Sequence, residues 1–251
     1  MFGLYTAAMI LLHPTFLYPF DQTPFDHPGY YATGVGHTGP IVYVHDAGQA
    51  SPVILYFMGN VGAVQAFLPM LEAHRKEGRS VVAMAYRGGG SVPGKVSEYR
   101  LKADALAAHD ALPMLLKEPP EIVVVQGYSL GTGLAVHVAA NREVDGVILS
   151  APYDKICRLM ARSSGLPACR LPAVQKWETD LDAPRVTAPV LALHGAQDDL
   201  IPIAFGKALF ESFPHSSLDN TSFVEIPGAG HNDLLQFPSY LTAIHAFVRG
   251  L

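Results

Sequence analysis

The stretch VVVQGYSLGTGLAVHVAA, residues 123–140, decides the fold. A run of β-branched residues reaches Gly127-Tyr128-Ser129-Leu130-Gly131 and then gives way to small residues and helix formers. The order is strand, tight turn, helix. A turn of this kind thrusts its central serine out above the end of the strand. Glycines two positions to either side permit the close backbone approaches that the turn requires. Gly133 and Ala135 continue a small-residue face on which the helix can pack closely.

Working outward, the same alternation recurs on both sides. Upstream, 41–45 reads as an early strand, 52–58 (PVILYFM) as a buried strand and 80–86 (SVVAMAY) as another. Between and after them, 66–77 and 101–116 carry apolar residues near helical spacing. Downstream, 144–150, 189–194 and 222–226 read as strands, and 202–213 and 238–251 as helices. Strands without polar alternation, separated by helices, imply a mostly parallel sheet with helices on both faces, the α/β class. Ligands of such sheets bind at the carboxyl ends of the strands. With no internal repeat or linker, residues 1–251 read as a single domain. The less regular stretch 151–187 reads as a short cap or lid insert.

Composition narrows the function classes. Apolar residues make up 49% of the chain and charged residues 16%, enough for a large buried interior. A net charge of -5 without a Lys/Arg cluster argues against a nucleic-acid partner, which needs a basic surface. Cys157 and Cys169 are expected to be two ordinary thiols, with a short surface disulfide as the alternative. The apolar run 4–12 is too short to span a bilayer and is broken by His13-Pro14. It is expected to be a packed first helix, with a membrane-surface anchor or the trimmed end of a longer segment as alternatives.

A serine hydroxyl needs a base, usually a histidine oriented by a carboxylate. The strand-turn-helix setting predicts the chain order serine, acid, histidine. Beyond the helix that follows Ser129, the histidines are His194, His215, His231 and His245. His231, in the Gly-rich loop PGAGHND after a strand, is the candidate base; His194 reads as structural. For the acid, Asp198 in HGAQDDLIP follows a strand end and is preferred to Asp154, Asp199 and Asp233. Asp199 is expected to cap a helix or loop. The stretch 87–91 (RGGGS) lacks both the Walker lysine and the Rossmann spacing, so no phosphate loop is expected. No metal-ligand spacing appears, and neither metal nor cofactor is expected.

Together with GYSLG, the segments MGN (58–60), YRGGGSVPG (86–94), APVLALHGAQDDLIP (188–202) and IPGAGHND (226–233) follow the order of the α/β-hydrolase family. The chain resembles most closely its BEM46-like serine hydrolases. The resemblance places the acid four residues after the histidine of the HG pair, which is Asp198. It also implies an oxyanion hole made by backbone N–H groups of Leu130 and of Asn60 or Val61. One position departs from the pattern: Met58 stands where such proteins usually have histidine. A backbone donor survives that change, but the firmness of its loop is expected to alter.

The expected activity is hydrolysis of carboxylic esters or thioesters through a Ser129–His231–Asp198 triad and an acyl-enzyme, on a small-molecule or acyl-ester substrate. The alternatives are a peptidase or amidase with the same triad, and a non-catalytic binding protein of this fold. Of the apolar insert residues Leu159, Met160, Leu166, Leu171 and Trp177, most are expected to pack on the sheet rather than line an acyl pocket.

Overall fold

The computed structural model describes residues 2–48, 51–214 and 220–251; His215 lies outside them. Eight strands form one sheet in the order β1-β2-β4-β3-β5-β6-β7-β8. They are β1 (Tyr31–Gly34), β2 (Ile41–His45), β3 (Val53–Phe57), β4 (Ser80–Met84), β5 (Val123–Tyr128), β6 (Gly146–Ser150), β7 (Val190–Gly195) and β8 (Ser222–Ile226). From β4 to β8 every pairing is parallel; β1 and β2 are antiparallel additions at one edge.

Burial follows position in the sheet. Every residue of β3, β4, β6 and β7 is buried, which is why these strands are continuous apolar runs. The edge strand β8 is buried only at Ile226. Strand β1 had no signal in the sequence, because its four residues (YATG) are mostly exposed and carry no apolar pattern.

Helices α1 (Phe2–Leu17), α2 (Leu68–Lys76), α3 (Glu98–Asp110), α4 (Leu112–Leu115), α5 (Leu130–Ala139), α6 (Ile156–Ser164), α7 (Ile203–Phe210) and α8 (Pro238–Arg249) complete the main elements. Adjacent residues of β5 face opposite sides, as a strand requires. Gln126 accepts a hydrogen bond from His74 of α2 at 2.7 Å, whereas a side chain on Gly127 would run into the backbone of α5. Helix α3 packs against α5, and α2 meets α8 through His74 and His245. The sheet is thus covered on both faces.

One expectation fails here, and one element outlasts its apolar run. The first helix continues past His13-Pro14 to Leu17. Pro14 has no N–H to offer the Ile10 carbonyl; the His13 side chain replaces it, its Nδ1 donating to that carbonyl at 2.8 Å. Cys157 and Cys169 are not free thiols, for they form a disulfide. Helix α6 ends at Gly165, whose φ of +70° turns the chain back, and a short helical turn at Ala168–Arg170 brings the two Cα atoms within 4.9 Å. Spacing along the sequence does not reveal that reversal. No described helix is long and apolar enough to cross a membrane.

Helix α1, with Tyr18 just after it, is hydrogen-bonded to residues 175 and 177 of the 151–187 segment. The Tyr18 hydroxyl donates to Gln175 Oε1 and accepts from Trp177 Nε1, and the Gln175 N–H donates to His13 Nε2. Trp177 and Leu166 are buried. Leu159 and Met160 are half-buried: they pack against the core and also line an open groove.

Candidate active site

Ser129 sits between β5 and α5 with φ +50° and ψ -117°, a backbone region that L-residues occupy only under constraint. Its flanking glycines show the constraint. A Cβ on Gly127 would lie 2.3 Å from the Gly131 carbonyl oxygen, and one on Gly131 would lie 2.2 Å from that of Phe57. The turn closes only where both positions lack a side chain. The Ser129 N–H donates to the Ser150 carbonyl at 2.8 Å, anchoring the turn to the neighbouring strand.

Three segments deliver the polar groups. His231, in the loop after β8, places Nε2 3.0 Å from Ser129 Oγ. Its Nδ1 is 2.7 Å from Oδ2 of Asp198, in the loop after β7. All three side chains are largely buried. The other oxygen of Asp198 accepts the backbone N–H groups of Leu200 at 3.0 Å and Ile201 at 2.7 Å. Burial alone would raise the Asp198 carboxyl. Hydrogen bonds from His194 and His231, the charge of His231 and the Ile201 N–H outweigh it and hold the group well below the usual carboxylate range.

The alternative acids lie elsewhere in the network. Asp154 is paired with Arg158, and Asp233 accepts the Gly230 N–H at 2.7 Å within the His231 loop. Asp199 is exposed and does not cap α7, whose first residues receive no side-chain cap; Asp198 itself takes up the loop N–H groups. His194 donates from Nε2 to the Ile201 carbonyl at 2.8 Å and lies 3.4 Å from Asp198, bracing the acid's loop. His245, on α8, accepts from Arg79 at 3.0 Å.

One contact had no reading in the sequence. The Tyr128 hydroxyl donates to the backbone carbonyl of His231, tying the residue before Ser129 to the loop that carries the imidazole. Its place inside GYSLG was the available signal, but the partner is 103 residues away.

Asn60 and Val61 occupy the middle of a turn closed by Gly62 N–H donating to the Gly59 carbonyl at 3.2 Å. The Met58 side chain is fully buried in the core, and its carbonyl accepts the Tyr86 hydroxyl at 2.6 Å. On the far side of the turn, Asp21 N–H donates to the Val61 carbonyl at 2.8 Å. The turn is therefore gripped from both ends without a histidine at 58. The 87–91 stretch is structural too: Arg87 makes a two-pronged ion pair with Asp104, and Gly90 N–H donates to the Asp21 carbonyl.

Two clefts open at Ser129. One, about 300 Å³, lies between the 58–62 turn, α2 and the His231 loop. The other, about 620 Å³, runs between α1 and α6.

A mostly parallel sheet with a serine–histidine–aspartate chain at its carboxyl edge defines an α/β protein of the kind that hosts hydrolytic enzymes. The comparisons with known proteins agree. No family model matches the chain. An uncharacterized protein of Mycobacterium tuberculosis is 31% identical over 214 residues, covering 82% of this chain and 73% of its own length. Alpha/beta hydrolase domain-containing protein 17B of Xenopus tropicalis is 30% identical over 221 residues, covering 86% and 73%. A solved esterase of Pyrococcus furiosus shares the fold with a TM-score of 0.76 at 18% identity, over 92% of this chain and 98% of that one. The chain belongs to the α/β-hydrolase superfamily.

Proposed function

We propose that the protein is a serine hydrolase that cleaves carboxylic esters or thioesters through an acyl-enzyme. The observation that carries this reading is the unbroken chain Asp198 Oδ2–His231–Ser129 Oγ, at 2.7 and 3.0 Å, ending on a serine held at positive φ. In this mechanism Ser129 Oγ attacks the acyl carbon while His231 Nε2 takes its proton. The Asp198 carboxylate holds the imidazole through Nδ1 and stabilises its charged form. His231 then returns the proton to the departing oxygen or sulfur, and water, activated by the same imidazole, releases the acid.

The oxyanion that develops in each step needs preorganised donors. Leu130 is the first residue of α5, so its N–H has no carbonyl four residues back within the helix to meet. Asn60 borders both clefts at Ser129, whereas Val61 borders only the smaller one. The Leu130 and Asn60 N–H groups are therefore the better-suited pair. Esters and thioesters are favoured over amides because their leaving groups depart more readily. The test is hydrolysis of p-nitrophenyl esters together with labelling by a fluorophosphonate. Wild type is expected to react at Ser129, and Ser129→Ala to lose activity by about 10⁴-fold or more. Full hydrolysis by folded Ser129→Ala would overturn the reading.

A further inference from the structure

The two clefts that meet at Ser129 differ in kind. The larger has Met9, Leu12 and Phe16 on one wall and Leu159 and Met160 on the other. Helix α1 contains no Asp, Glu, Lys or Arg at all. Its lining residues run from Tyr5 to Leu17 and those of α6 from Ile156 to Ser164. At 1.5 Å of rise per residue the groove follows about 18 Å of one helix and about 12 Å of the other. It is long, apolar and open to Ser129 and Leu130. The Tyr5 hydroxyl ties its walls together, donating to the Ser164 carbonyl at 3.0 Å.

Proton transfer decides which part of a substrate each cleft takes. The imidazole that accepts the serine proton must deliver it to the leaving atom, so the leaving group lies beside His231 Nε2. His231 and Asn232 line the smaller cleft and are absent from the lining of the larger.

Building on the reading of Ser129 as nucleophile, we propose that the α1–α6 groove takes the acyl chain, an extended unbranched hydrocarbon, and that α1 is the wall that sets its length. The leaving group departs through the smaller cleft. A helix that precedes the whole sheet thereby acts as a specificity element of the site.

The experiment measures kcat/KM for p-nitrophenyl esters from acetyl through octanoyl to palmitoyl. In wild type, kcat/KM is expected to climb with chain length to at least octanoyl, by up to about fourfold per methylene where the CH₂ is fully buried. Met9→Trp and Leu159→Trp fill the groove from opposite walls, and each is expected to cut the octanoyl-to-acetyl ratio roughly tenfold or more. Ala66→Trp, in the smaller cleft, is expected to leave that ratio within about twofold. The ratio is taken within one variant, so any loss of folded enzyme cancels. An unchanged ratio in both groove variants, or a ratio moved by Ala66→Trp alone, overturns the assignment. Full hydrolysis that survives Ser129→Ala removes the reading of Ser129 as nucleophile, on which this proposal rests. Ser129-dependent hydrolysis with a ratio insensitive to the groove removes only this proposal.

Discussion

His231 stands at the carboxyl ends of the strands, and His74 stands on α2 against the opposite side of β5; each is hydrogen-bonded through both ring nitrogens. On His231, Nδ1 faces the Asp198 carboxylate and Nε2 faces a hydroxyl at the meeting of two clefts. On His74, Nδ1 accepts from the Arg79 guanidinium at 3.1 Å and Nε2 donates to Gln126 Oε1 at 2.7 Å. Arg79 also donates to His245 Nδ1 at 3.0 Å, and none of His74, Gln126, Arg79 and His245 lines either cleft at Ser129. Burial lowers His74 from 6.5 to about 3, and the nearby positive charge of Arg79 adds to the effect. The same side chain is thus built for opposite purposes. A carboxylate at Nδ1 favours the charged ring that proton transfer creates, whereas a guanidinium at Nδ1 forbids it. On the mechanism proposed above, the sign of the partner, together with access to a cleft, separates a ring that shuttles a proton from one that only braces the fold.

The sharpest way to break this comparison is to neutralise the carboxylate. Asp198→Asn is expected to lower kcat for ester hydrolysis by about 10⁴-fold while the protein stays folded, because the amide favours the wrong imidazole tautomer and no longer stabilises the charged ring. Steady-state kinetics with circular dichroism checks it; a loss below tenfold would put Asp198 outside the mechanism. The counterpart in the second network is His74→Ala. It is expected to cost about 3 kcal/mol of stability by leaving Gln126 and Arg79 partly unpaired around a cavity. The folded fraction should keep the pH profile of kcat, and a shifted profile would mean that the two networks are coupled.

An acid titration sharpens the contrast further. The unfolded chain binds a proton at position 74 near pH 6.5, and the folded chain resists it down to about 3. Stability contributed by neutral His74 is therefore present above pH 6.5 and lost as pH falls through that window, with a slope of up to ~1.4 kcal/mol per pH unit. Denaturant melts between pH 7 and pH 4 should show a shallower decline in His74→Gln than in wild type; equal slopes would refute it. The smallest effect is expected from Tyr128→Phe. Removing one hydrogen bond to the His231 backbone should lower kcat by about tenfold, with KM little changed. That is visible in kinetics and scarcely in stability.

How much of this could be read from residues alone varies with the distance over which each feature is decided. The strands β3, β4, β6 and β7 were legible because a strand buried on both faces is a near-continuous apolar run, and β5 because its valines lead straight into the serine turn. The serine turn was legible because its glycines are demanded by backbone approaches within a few residues. Asp198 and His231 could be placed at strand ends by loop position and chain order, and the three residues meet in the folded chain. By contrast, β1 carries too little apolar pattern to announce itself. The continuation of α1 past Pro14 depends on a side chain replacing a missing N–H.

The sequence by itself determined a parallel α/β sheet and a serine held on a strained turn at its edge, because both follow from periodicity and from contacts along a short span of chain. Only the tertiary structure decided what surrounds that serine. The Cys157–Cys169 bridge required α6 to turn back at Gly165. The Tyr128 contact spans 103 residues. The groove between α1 and α6 exists because segments 159 residues apart, Tyr5 and Ser164 among them, come to face one another. Such meetings depend on the sum of packing over the whole chain, and no local pattern carries that sum.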